Sequence, residues 1–214
     1  MSEYTEEEQI ARIKEWWQQN GKPLLAGGAL AIVIVFGWQA WQQHQAKQSQ
    51  ASSMLYQQLL ETTVLPSGQV DAQQVASLLA ELKKINANNA YTQYGQLLAA
   101  KVAVDNNRLD DAAVELNAIL QKPANPTLQE LARQRLARVL LAQEKAQQAL
   151  QLLEAEVQPA FAATREELRG DVLVVLERPA EARQAYLQAQ QALPSDATVG
   201  DLLMKLDNLS EKDA

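Results

Sequence analysis

Apolar residues follow two patterns along this chain. From Leu24 to Trp41 they are nearly continuous, with Gln39 the one clearly polar residue, and no charge falls between Pro23 and Ala46. After Leu55 and Leu59 they recur three or four apart, the spacing of one helical face. Short breaks interrupt this second pattern at Pro66 to Gly68, Asn86 to Asn89, Asn106-Asn107, Lys122 to Pro126, Gln158-Pro159, Pro179 and Pro194 to Asp196. Strand-like alternation is missing, and the β-branched run Val172 to Leu176 sits inside a longer helical pattern, where it reads as a buried helix segment.

The continuous run is long enough to span a membrane. At about 1.5 Å per residue it crosses a hydrocarbon layer of roughly 30 Å. A cleavable export signal requires a short basic start and a small-residue cleavage site, whereas the leader here carries Glu6-Glu7-Glu8 and the run exits through Trp38 and Trp41. A buried core helix leaves unexplained why Trp16 and Trp17 precede the run while Trp38 and Trp41 end it; aromatic belts at two interfaces explain both pairs. Leu24, Ile32, Ile34 and Phe36 are the expected lipid-facing anchors. Arg12, Lys14 and Lys22 precede the span and only Lys47 follows closely, which predicts a cytoplasmic N-terminus. Ile10, Ile13 and Trp17 share one face of the segment before it.

Residues 42–66, rich in Gln, Ala and Ser, predict a helix that leaves the membrane as a solvated stalk and enters a helical domain. The expected organisation is a cytoplasmic tail over 1–22, a transmembrane helix over 23–41, the stalk helix over 42–66 and an all-α domain over 67–214. Inside that domain three segments align. A small residue (Ala100, Ala137, Gly170) is followed twelve positions later by an alanine (Ala112, Ala149, Ala182), and four positions further by Leu116, Leu153 or Tyr186. Successive units are 37 and 33 residues apart. Antiparallel helices approach closely only where side chains are small, and a larger residue one turn on fills the groove against the next pair. This is the spacing of a tetratricopeptide-like α-solenoid. The alternative is a generic alanine-rich bundle; the constant offset favours the repeat. Asp71 to Ile85 and Thr198 to Leu209 read as flanking helices, with Leu202, Leu203, Leu206 and Leu209 on the stripe of a capping helix.

Composition narrows the chemistry. The 214 residues carry a net charge of −7, and residues from 47 onward keep 16 of the 19 basic and 21 of the 26 acidic side chains. A domain of that sign is a poor partner for nucleic acid. Cysteine is absent and His44 is the single histidine, so thiol nucleophiles, thiolate metal sites and His-based triads cannot be assembled. No catalytic, cofactor or metal residues are expected. A repeat solenoid presents a groove to peptides or proteins, and the position after each small first-helix residue carries Lys101, Arg138 and Asp171, the candidate partner contacts.

The join of the apolar run to these repeats resembles the YfgM family, ancillary subunits of the bacterial SecYEG translocon. The resemblance rests on Asn20-Gly21-Lys22, Gly37-Trp38 with Trp41, His44-Gln45, Leu168-Arg169-Gly170 and Asn208-Leu209. It implies a single-pass inner-membrane protein with a periplasmic tetratricopeptide domain. It further implies association with SecYEG and the periplasmic chaperone PpiD, contact with unfolded secretory clients, and a role as co-chaperone in passing secreted proteins onward. A scaffold for another envelope complex, serving cytochrome maturation or cell-wall synthesis, fits the same anchor and groove.

Overall fold

The computed structural model describes residues 6–64, 70–194 and 200–210, which form two compact units divided between Gln50 and Ala51. No strand occurs among the described residues.

Helix α1 (Glu6–Val64) makes up the described part of the first unit and continues into the second. Pro23 lies inside it, where the ring removes one backbone donor. Just before it, Gly21 is covered by the Trp17 indole, which a Cβ at that position would meet at 3.2 Å. Leu24, Ile32, Ile34 and Phe36 are exposed, and so are Trp16, Trp17, Trp38 and Trp41. The Trp38 and Trp41 rings lie 5.1 Å apart. Leaving one such aliphatic side chain in water forgoes about 1.5–3 kcal/mol of burial. Among the described residues α1 is the one helix long and apolar enough to cross a membrane, and its apolar window is wholly exposed.

The second unit is a stack of helix pairs. The end of α1 is followed by α2 (Ala72–Asn86), α3 (Ala90–Asp105), α4 (Leu109–Gln121), α5 (Pro126–Ala142), α6 (Ala146–Leu153), a single 3₁₀ turn (Pro159–Phe161), α7 (Ala162–Val175), α8 (Pro179–Ala192) and α9 (Gly200–Ser210). Asp71, Asn89 and Asn125 cap α2, α3 and α5 by accepting hydrogen bonds from backbone N–H groups of the first turn, and Pro126 occupies the first helical position of α5. Helices α3, α5 and α7 are first members of pairs completed by α4, α6 and α8, and they also touch one another in sequence.

One turn recurs within each pair. Asn107, Glu144 and Glu177 adopt φ of 56°, 61° and 58°, at the same 37- and 33-residue spacing as the small residues. The residue after each donates its N–H back across the helix end: Arg108 to Ala103 at 2.8 Å, Lys145 to Leu140 at 2.8 Å, and Arg178 to Leu173 at 2.9 Å. This left-handed closure satisfies carbonyls that the helix end leaves free. The Gln143–Lys145 turn contains no Pro, Gly or Asn, so it is absent from the breaks legible in composition.

The six small repeat residues lie in the interior. Ala112, Ala137, Ala149 and Ala182 are fully covered, Ala100 and Gly170 nearly so, and Leu116, Leu153 and Tyr186 are buried beside them. Gly170 stands where the other units have alanine because its unit has a tyrosine wedge. A methyl group there would sit closer than 3.0 Å to three ring carbons of Tyr186.

Two expectations are corrected. Of the Val172 to Leu176 run, Val172 and Leu173 are buried while Val174 and Val175 are exposed. Consecutive helical residues turn about 100°, so no run of five shares one face. For the same reason Leu203 is exposed, leaving Leu202 and Leu209 in the core with Leu206 half-buried. The breaks at Pro66 to Gly68 and Ser195-Asp196, and Thr198, lie outside the described residues.

Candidate protein-docking groove

Helices α3 and α5 run side by side over α4 and leave a groove of about 340 Å³ between them. Its floor is apolar, with Leu97, Leu109, Leu116 and Val139 contributing large side chains and Ala100 and Ala142 leaving space. The repeat spacing explains the opening: the small residue that lets α3 approach α4 also thins the wall facing α5.

The rim is cationic. Lys101, Arg135 and Arg138 line it, and Arg135 and Arg138 are both exposed. Lys101 meets Asp105 one turn along its own helix at 2.6 Å, an exposed pair of a kind that contributes little. No carboxylate among the described residues pairs with Arg135 or Arg138 within 4.0 Å. Partial burial, and then the neighbouring charge of Arg138, hold the Arg135 guanidinium below its ordinary pKa. Two like charges are thus kept close beside an apolar floor in a domain that is acidic overall.

Of the three candidate contacts, the structure brings Lys101 and Arg138 to this groove and leaves Asp171 elsewhere. Asp171 accepts a hydrogen bond from the Tyr186 hydroxyl at 2.9 Å and pairs with Lys205 of α9 at 2.7 Å. Lys205 also binds Glu167 at 2.7 Å and lies 5.7 Å from the Tyr186 ring centre. Burial pulls the Lys205 ammonium down, but its bonds to Asp171 and Glu167 outweigh that and hold it above its usual range. Burial, with the bond to Asp171 next, pushes the Tyr186 phenol up. The position after Gly170 is therefore filled from within the chain.

Sequence reasoning missed Arg135. Its signal was present, because Arg135 lies three residues before Arg138 and so shares its face of α5. It also missed a buried polar junction that joins α5 to α7. Arg165, almost fully buried, donates from Nε to Glu130 at 2.7 Å and also from Nη2 to Glu130, and Nη1 reaches the backbone carbonyls of Leu153 and Ala155 at 2.9 and 2.6 Å. Gln134 supports Glu130 at 3.0 Å and reaches Thr164 at 3.2 Å. Nothing in composition distinguishes Glu130 and Arg165 from solvated charges. A similar role falls to Gln93, whose side-chain amide donates to the carbonyl of Lys122 at 2.7 Å and accepts from the Ala124 N–H at 2.8 Å, pinning the loop before α5.

Comparison with known proteins agrees with this architecture. A tetratricopeptide repeat-like domain model matches residues 14–211. A protein of Haemophilus influenzae named ancillary SecYEG translocon subunit is 30% identical over 204 residues, covering 95% of this chain and 97% of the relative. Proteins of the same name from Neisseria gonorrhoeae and Escherichia coli are 32% and 29% identical, covering 95% and 96% of this chain and 97% of each relative. With the repeat model and these relatives each spanning nearly its whole length, the chain belongs to the tetratricopeptide repeat-like family of ancillary SecYEG translocon subunits.

Proposed function

We propose that this protein is a membrane-anchored adaptor at the Sec translocon whose repeat domain, on the periplasmic side of the inner membrane, binds partner proteins and assists transfer of secreted proteins to chaperones. The carrying observation is similarity across nearly the full chain to proteins named ancillary SecYEG translocon subunits. The exposed apolar stretch of α1 supports the anchor, since uncovered Leu, Ile and Phe side chains at this density are stable in lipid and not in water. The excess of Arg12, Lys14 and Lys22 before the span supports a cytoplasmic N-terminus, a transmembrane segment over 23–41, a stalk over 42–66 and a periplasmic domain over 67–214. Trp16, Trp17, Trp38 and Trp41 serve as interface anchors in this reading. Lys101 and Arg138 contact a partner; Asp171, already paired with Lys205, serves the fold.

The test is affinity isolation of the tagged full chain from gently solubilised membranes, followed by identification of the co-isolated proteins. SecYEG subunits and the chaperone PpiD are expected. Recovery of a cytochrome-maturation or cell-wall synthesis complex without either overturns the assignment. Protease added to spheroplasts is expected to digest the repeat domain; a protected domain overturns the topology.

A further inference from the structure

Two observations, taken together, specify what the α3–α5 groove receives. The rim offers Arg135 and Arg138, which pair with no carboxylate among the described residues, beside an apolar floor in a domain whose own charge is negative. At the equivalent place on α7, where the rim residue is Asp171, the chain supplies its own complement. Helix α9 sends Leu202 and Leu209 into the core and Lys205 onto Asp171 and Glu167. A carboxylate rim is thus met by an apolar helical face carrying a cation. The α5 rim has the opposite sign.

We propose that this groove docks an amphipathic helical segment of a partner protein, inserting large aliphatic side chains over Leu97, Leu116 and Val139 and placing carboxylates against Arg135 and Arg138. This rests on the reading that the repeat domain binds proteins. The volume suits a few side chains of a helix lying along the groove. Charge complementarity selects acidic segments over neutral ones, because an unmatched arginine pair on an apolar surface gains most from a carboxylate that also relieves its mutual repulsion. Lys101 supplies a third cation at the edge, exchanging Asp105 for the ligand.

A fluorescein-labelled peptide with Leu at i, i+4 and i+7 and Glu on the flanking positions is the probe, titrated by anisotropy against the full chain in nanodiscs of zwitterionic lipid, with empty nanodiscs as reference. Saturable binding is expected, weakened about tenfold or more when Glu is replaced by Gln in the peptide, and by a similar factor in the double variant Arg135→Glu/Arg138→Glu. A peptide with Lys in place of Glu is expected to regain binding to that double variant. Both arginines are exposed, so the variant is expected to keep the helical circular dichroism of the parent, and Arg135→Gln/Arg138→Gln gives a milder second reading. Equal affinity for Glu and Gln peptides, indifference to charge reversal, or no saturable binding overturns the proposal. So does displacement of the probe by anionic lipid vesicles, which would assign the cations to headgroups, or self-association that excludes the peptide and is lost in the double variant, which would assign the groove to a second copy. Isolating translocon subunits with the parent chain separates the two readings: if they co-isolate while the peptide fails to bind that same chain, the groove chemistry falls and the adaptor stands.

Discussion

Ala100 and Gly170 occupy the same point of the repeat, yet the residues beside them meet different fates. After Gly170, Asp171 is locked between Tyr186 and Lys205, and the surface is closed by α9. After Ala100, Lys101 pairs with Asp105 on its own helix and borders an open groove with Arg135 and Arg138. One repeat position thus serves as fold in one unit and as surface in another. What separates them is the neighbouring helix: α9 brings a charge of opposite sign to Asp171, while α5 brings charges of like sign to Lys101. Like charges cannot pair across an interface, so that side remains open for an outside ligand.

The sharpest break in this contrast is expected at Glu130, which ties α5 to α7. Glu130→Ala leaves Arg165 buried without its carboxylate, and about 3–5 kcal/mol of stability is expected to be lost in urea unfolding followed by circular dichroism. Tryptophan fluorescence is a poor monitor of the repeat domain because all four tryptophans precede residue 42. The double variant Glu130→Leu/Arg165→Met, which removes both charges of the pair, is expected to recover part of that loss, since the carbonyls of Leu153 and Ala155 lose their donor and Arg133 its nearby carboxylate.

Closer packing at Gly170 sets the next effect. Gly170→Ala drives a methyl into the Tyr186 ring and is expected to cost about 1–3 kcal/mol, the range for overpacked cores. Adding Tyr186→Leu, the wedge residue of the other two units, is expected to restore tolerance. Tyr186→Phe is not, since the clash involves the ring. Full tolerance of Gly170→Ala alone would mean that the wedge does not determine the small residue.

The closed end carries an alkaline signature. Lys205 and Tyr186 both have folded pKa values above their ordinary ones, so the stability they add is complete below roughly pH 10 and is lost as pH rises through the folded values. Unfolding midpoints measured across that window are expected to fall in the parent and to fall less in Lys205→Met/Tyr186→Phe. Smallest of all, Lys101→Glu and Arg138→Glu are each expected to shift stability by no more than about 0.5 kcal/mol, since neither side chain is buried in the fold. A large loss there would make the groove a structural seam rather than a docking surface.

How much was readable in advance depended on whether the signal was local. The helical character, the apolar run and the offset of twelve depend on residues a few turns apart, and they appear in the periodicity of Ala100, Ala112, Ala137, Ala149, Gly170 and Ala182. The turn at Glu144 escaped composition because a left-handed residue other than Gly or Asn leaves no mark of its own. Arg165 and Glu130, 35 residues apart, meet only after two pairs have stacked. Asp171 looked equivalent to Lys101 and Arg138 because repeat position alone says nothing about which neighbour arrives.

By itself the sequence determined that this chain is helical, that one stretch of it is long and apolar enough to cross a membrane, and that the repeat residues stack in pairs, because those outcomes follow from the polarity and size of residues near one another along the chain. Only the tertiary structure decided which charges became rivets and which stayed open. Those choices depend on burial and on the sign of side chains brought together from distant helices, and neither is written in local order.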